Sequence, residues 1–114
     1  MKFKYMQKNE CMAVVEVDMK KGTVKVTNFT DDKIQRPFGY TDSPTLEDLE
    51  YFLEERCFPK SRANCEQLLK DLGLTHYDPL GICMATYGRQ WDDYNWILFE
   101  GENLDYEKDI KLRS

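Results

Sequence analysis

From Cys11 to Phe29 apolar and polar residues alternate, with Met12, Val14, Val17 and Met19 ahead of Lys20-Lys21-Gly22 and Val24 and Val26 behind it. Valine-rich, period-two patterning broken by a Gly-containing turn predicts a β-hairpin. Phe3 to Met6 is placed to add a third strand. From residue 45 the period changes. Leu46, Leu49, Leu53 and Cys57 fall on one helical face with Phe52 beside it. Thr45-Leu46-Glu47-Asp48 is a capping-box-like start, in which the Thr45 hydroxyl accepts from a free backbone amide. Pro59 ends this helix by disfavouring helical geometry at Phe58. A second helix begins by about Ser61, carries Cys65, Leu68, Leu69 and Leu72 at i, i+3, i+4 and i+7, and closes at Gly73 as a left-handed cap. These two are expected to pair as a helical hairpin. Asp78-Pro79 opens a third helix through Leu80, Ile82, Cys83 and Tyr87 to Gly88. Trp96-Ile97-Leu98-Phe99 predicts a strand returning to the sheet, and Asp105 to Leu112 one or two helical turns. Between hairpin and first helix, Asp31-Asp32, Pro37, Gly39 and Asp42-Ser43-Pro44 mark a loop, expected to be the most mobile segment.

The fold class that follows is α+β: an N-terminal antiparallel hairpin or small sheet, three short helices and a late strand pairing back. With 114 residues the chain is one domain's worth, and 41% hydrophobic residues supply a packed interior. Its longest apolar stretches, Met12 to Val15 and Trp96 to Phe99, fall far short of the ~20 residues that cross a bilayer. Charges at Lys2, Lys4, Lys8 and Glu10 occupy the place of a secretory signal's apolar segment, which predicts a cytoplasmic protein.

Charge changes the picture more than composition does. The net is −5, with eight basic against five acidic residues up to Arg36 and eight against sixteen thereafter. Asp42 to Glu55 holds Asp42, Glu47, Asp48, Glu50, Glu54 and Glu55 and no base. Nucleic-acid affinity comes largely from Lys and Arg displacing counterions, so direct DNA or RNA binding is not expected. A basic protein, or a nucleic-acid-binding protein whose groove this surface occupies, fits the charge.

Catalytic signatures are weak. Cys11, Cys57, Cys65 and Cys83 contain no C-x-x-C, and the single histidine, His76, has no cysteine within six residues. Neither a metal site nor a Cys-His dyad is expected, and the cysteines read as four reduced, buried thiols. Asp92-Asp93 reads as a pair satisfying backbone amides or a helix cap in preference to acid–base work. The six glycines are scattered singly, without a phosphate loop. No cofactor is expected. Arg56 and Arg62 flank the Cys57-Phe58-Pro59 bend, where structural pairing with acids of the first helix, or with carbonyls, is the expectation. Aromatic residues cluster late: Tyr87, Trp91, Tyr94, Trp96 and Phe99. Tyr94, Trp96 and Phe99 are expected in the core. Trp91, in Gly88-Arg89-Gln90-Trp91-Asp92-Asp93, is expected on the surface as a docking residue with Arg89, Asp92 and Asp93.

The runs Phe52-Leu53-Glu54-Glu55-Arg56-Cys57-Phe58-Pro59-Lys60-Ser61-Arg62, Leu68-Leu69-Lys70-Asp71-Leu72-Gly73-Leu74 and Asp93-Tyr94-Asn95-Trp96-Ile97 come in an order that resembles the N-terminal segment of HipA-like proteins of Firmicutes. There an R-x-x-P-x-x-R helix junction is followed by a D-x-Y-W strand entry. The resemblance spans most of residues 12 to 110. It implies a piece that precedes a kinase core or, in tripartite toxin–antitoxin modules, a separate small protein that binds and restrains the kinase. The catalytic residues of such a kinase are absent here. Arg89-Gln90-Trp91 replaces a Ser-Leu-rich approach, and Tyr94-Asn95-Trp96 alters the spacing, so the local surface and its partner are expected to differ.

Two readings follow, both of a non-catalytic protein binder. One is an accessory or antitoxin-like subunit docking on a HipA-like serine/threonine kinase through the aromatic segment. The other is a phage or mobile-element inhibitor of a host defence nuclease, anti-CRISPR-like, docking through Glu47, Asp48, Glu50 and Glu54. The first predicts binding that resists salt and the second binding that salt weakens.

Overall fold

A computed structural model describes residues 1–90 and 92–111 of the chain. Four strands, β1 (Lys2–Gln7), β2 (Glu10–Asp18), β3 (Thr23–Asn28) and β4 (Asn95–Phe99), form one sheet in the order β3-β2-β1-β4. Every neighbouring pair is antiparallel. The hairpin read from valine alternation is β2–β3, with Val15 opposite Val26 and Val17 opposite Val24. The late strand returns as expected, and its place is beside β1, with Tyr5 opposite Ile97.

The alternation on β2 has a different phase from the one read in the sequence. Ala13, Val15 and Val17 are buried, whereas Val14, opposite Lys4, turns to the other face and Met19 is exposed. A register shift explains Met12. Tyr5 pairs with Ala13 but Met6 pairs with Cys11, so β2 carries one extra residue and both Met12 and Ala13 are buried. Such a bulge resets which face each later side chain occupies.

Helices α1 (Leu46–Glu55), α2 (Cys65–Asp71) and α3 (Pro79–Thr86) cover one face of the sheet. The capping box at the start of α1 is present in full: Thr45 Oγ1 accepts from the Asp48 amide, and the Asp48 carboxylate accepts from the Thr45 amide. Leu49, Phe52, Leu53 and Cys57 form its buried face, as the period predicts. They meet Phe3, Tyr5, Val15 and Ile97 from the sheet and Ile82 and Cys83 from α3. Phe52 is the hinge of this core, packing within 6.1 Å of the Phe3, Tyr5 and Phe38 rings. The expected pairing of α1 with α2 is replaced by closer packing of α1 on α3. Helix α2 starts later than its periodicity suggested, after two turns closed by Arg62 on Pro59 and Cys65 on Arg62.

Among the described residues, the other face of the sheet is covered only at the β1–β4 end. A single π-type turn, Tyr106–Ile110, lays Tyr106 and Ile110 on Met6 and Trp96. Asn9, in the β1–β2 turn, holds this segment by accepting from the Tyr106 amide and donating to Asp105. Trp96 is wholly buried, with its indole N–H donating to the Lys8 carbonyl at 2.6 Å. In residues 30–43, expected to be the most mobile segment, Arg36 Nε bonds the Thr30 carbonyl within the loop and Phe38 packs on Phe52, while Ile34 and Tyr40 are exposed.

Candidate functional site

Arg56 stands at the C-terminal cap of α1 and is 7% exposed. A buried guanidinium is tolerated only when its donors are matched. Here Nη1 and Nη2 donate to the two carboxylate oxygens of Asp93 at 2.8 and 3.0 Å. Nε donates to the Gly88 carbonyl at 2.9 Å, and Nη2 also to the Asn95 carbonyl at 2.9 Å. Burial is the largest influence and works against the Arg56 charge, but the Asp93 hydrogen bonds and charge, together with Tyr5 and Cys83, leave the group above its ordinary value. Asn95 extends the network, donating to the Met6 carbonyl and, at 2.7 Å, to Gln35 of the preceding loop. Gly88 is required by this arrangement. Its φ is +61°, and a Cβ there would lie 2.9 Å from Ile97 Cδ1. The expected structural role of Arg56 holds, with Asp93 and not a first-helix acid as its partner.

The residues expected to dock a partner divide into engaged and free. Asp93 is committed to Arg56 and to the Asn95 amide at 3.1 Å. Arg89 donates to the Thr86 and Ile110 carbonyls and lies against the Tyr87 ring. Asp48 is held in the capping box. Glu47, Glu50, Glu54 and Asp92 are exposed, and no ion pair engages them among the described residues. Trp91 lies outside the described residues. Trp96 and Phe99 are in the core as expected. Tyr94 is not: it is 47% exposed, with Lys8 Nζ 4.7 Å over its ring. Its strand-entry position, ahead of β4, places it beyond the last sheet pair.

One exposed aromatic residue escaped the sequence reading. Tyr51 is 65% exposed on the outward face of α1. It lies four residues after Glu47, three before Glu54 and four before Glu55, so helical spacing places these three carboxylates beside the phenol ring, and Glu50 continues the stripe next to Glu47 and Glu54. The signal available was an aromatic residue on the polar side of an amphipathic helix. Tyr51 also borders a shallow groove of about 340 Å³, lined with Arg36, Pro37, Phe38, Gly39 and Thr41. Ile34 and Tyr40 of the same loop are almost fully exposed.

Chemistry of other kinds finds little support. His76 is exposed, with its ring nitrogen 3.2 Å from the Thr75 hydroxyl. Among the described residues no three His, Cys, Asp or Glu side chains are placed to hold a metal ion, and no helix is long and apolar enough to cross a membrane. A second, larger groove of about 870 Å³ runs between the end of α1, the 58–62 bend and α3. Comparison with protein-family models, with curated proteins and with solved structures finds no match for this chain.

Proposed function

We propose that this chain is a non-catalytic protein-binding module that docks through the outward face of α1 onto a basic, nucleic-acid-binding protein, such as a defence nuclease. The observation that carries the reading is the stripe of Glu47, Glu50, Glu54 and Glu55 beside exposed Tyr51, engaged by no cation among the described residues. Tyrosine is enriched among interface anchors, and a carboxylate rim steers a basic groove toward it. Arg89 and Asp93, which the kinase-docking reading would use, are engaged internally. Exposed Tyr94 and Asp92 are what favour that second reading, of an accessory subunit on a HipA-like kinase.

The experiment is affinity capture from source-cell lysate at low and high salt, with mass-spectrometric identification. The bait is the native chain beside a variant carrying Glu47→Lys, Glu50→Lys and Glu54→Lys. Asp48 stays unchanged, because its loss would uncap α1. The expected result is a basic nucleic-acid-binding protein that is held at low salt, washes off at high salt and is lost by the variant. Capture of a HipA-like kinase that survives both high salt and the charge reversal would replace this reading with the accessory-subunit one.

A further inference from the structure

Cys57 and Cys83 lie 26 residues apart in sequence, yet their sulfur atoms are 3.8 Å apart. Both reach the same acceptor, the Leu53 carbonyl, Cys57 at 3.1 Å and Cys83 at 3.5 Å. The close packing of α1 on α3 creates this contact. The two sulfurs are not equivalent. Cys57 lines the 870 Å³ groove together with Phe58, Arg62, Ile82 and Thr86, while Cys83 is wholly buried behind it. Cys57 also follows the C-cap of α1, so no further helical turn fixes its side chain.

We propose that Cys57 and Cys83 form a dithiol modification site, at which a small disulfide of the glutathione type enters the groove, is captured by Cys57 and is displaced by Cys83 to leave an intramolecular disulfide. The Cys57 thiolate attacks one sulfur of the reagent RSSR, forming Cys57–S–S–R and releasing RS⁻. The Cys83 sulfur then attacks the Cys57 sulfur, forming the Cys57–Cys83 bond and releasing a second RS⁻. The two protein thiols lose two electrons, RSSR gains them, and the two thiol protons end on two RSH. Cys57 is the first of the pair to ionise, because as a thiolate it accepts from the Cys83 S–H across their 3.8 Å contact, while Cys83 is held above the ordinary thiol range by that same pairing and by burial. From 3.8 Å the sulfurs must close to the ~2.05 Å of a disulfide. Cys11 and Cys65 are half-buried elsewhere, each packed at the margin of a core cluster.

Trypsin makes the test direct, because each cysteine falls in its own peptide: residues 9–20, 57–60, 63–70 and 71–89. The full chain is treated with oxidised glutathione at mildly alkaline pH, blocked with maleimide and digested without reductant. The expected product is peptide 57–60 linked to 71–89 as the main oxidised species, with two of the four thiols lost to maleimide. In Cys83→Ser the expected product is a persistent glutathione adduct on Cys57. Should that variant fail to fold, the double variant Cys11→Ser, Cys65→Ser carries the same reading, by losing both remaining thiols in the linked peptide. A wild-type chain whose Cys57 keeps glutathione without linkage, or whose Cys11 and Cys65 react while Cys57 and Cys83 stay free, overturns the proposal.

Discussion

Two acidic regions of this chain carry similar residues and do opposite work. Asp93, read as a docking residue, is drawn inward by Arg56, and every nitrogen of that guanidinium has a partner. Glu47, Glu50, Glu54 and Glu55 point outward from α1 and meet no cation among the described residues. Partner accounting separates them. A carboxylate whose oxygens are matched inside the protein holds the fold, whereas one left in water with an aromatic neighbour is available to another molecule.

The sharpest way to break this contrast is at its buried member. Arg56→Ala leaves Asp93 without its counter-charge and the Gly88 and Asn95 carbonyls without a donor, so a loss of about 3–5 kcal/mol in unfolding free energy is expected by denaturant titration. Arg56→Lys should recover only part of it, since an ammonium cannot span both Asp93 oxygens and two carbonyls at once. An Arg56→Ala chain as stable as the native one would remove the network from the account of the fold.

Asp48 sits between the two extremes, acidic and on the first turn of α1 but committed to a cap. Removing its partner with Thr45→Ala should cost about 1 kcal/mol of stability, read as a lower melting temperature, with lysate capture otherwise intact. Loss of capture with no change in stability would place Thr45 in the interface instead. For the outward stripe the expectation reverses: Glu50→Gln and Tyr51→Ala should each change stability by no more than about 0.5 kcal/mol while weakening capture. A large loss of stability in Tyr51→Ala would return that ring to the core.

The last effect shows only at high pH and lies at Tyr77, whose hydroxyl donates to the Phe58 carbonyl at 2.7 Å across the bend that bounds the larger groove. Burial pushes its phenol up to about 12 from 10.0, so the neutral ring favours the folded state. That contribution is whole below pH 10 and disappears as pH rises through about 12. Ultraviolet titration of tyrosinate should therefore lose one late-ionising group in Tyr77→Phe, and an unchanged titration would contradict the assignment.

Much of the architecture was legible because its signals are local. The β2–β3 turn at Gly22, the Thr45 capping box, the Leu49-Phe52-Leu53 face and the Asp78-Pro79 start each depend on residues within one or two turns of each other. The α+β class followed from them. Of the apolar positions read on β2, Met12 and Val17 are buried while Val14 and Met19 are not, because a bulge is a property of two strands together, and nothing in β2 alone announces that Met12 will go unopposed. The expected burial of Tyr94 failed for a related reason: density of aromatic residues signals burial in general but not which ring the last sheet pair leaves outside.

The candidate site was legible only in part. The charge of residues 42–55 was plain in the sequence, and with helical period it marks Glu47, Glu50 and Glu54 as a solvated stripe. Periodicity alone sufficed, because solvent imposes no further choice on a charged helix face. Which carboxylates are already taken was decided by tertiary structure. Arg56 meets Asp93 across 37 residues, and Cys57 meets Cys83 across 26, through the packing of α1 against α3 and the return of β4 beside β1. Long-range contacts of this kind are fixed by how the buried faces fit together, and sequence spacing carries no record of that fit.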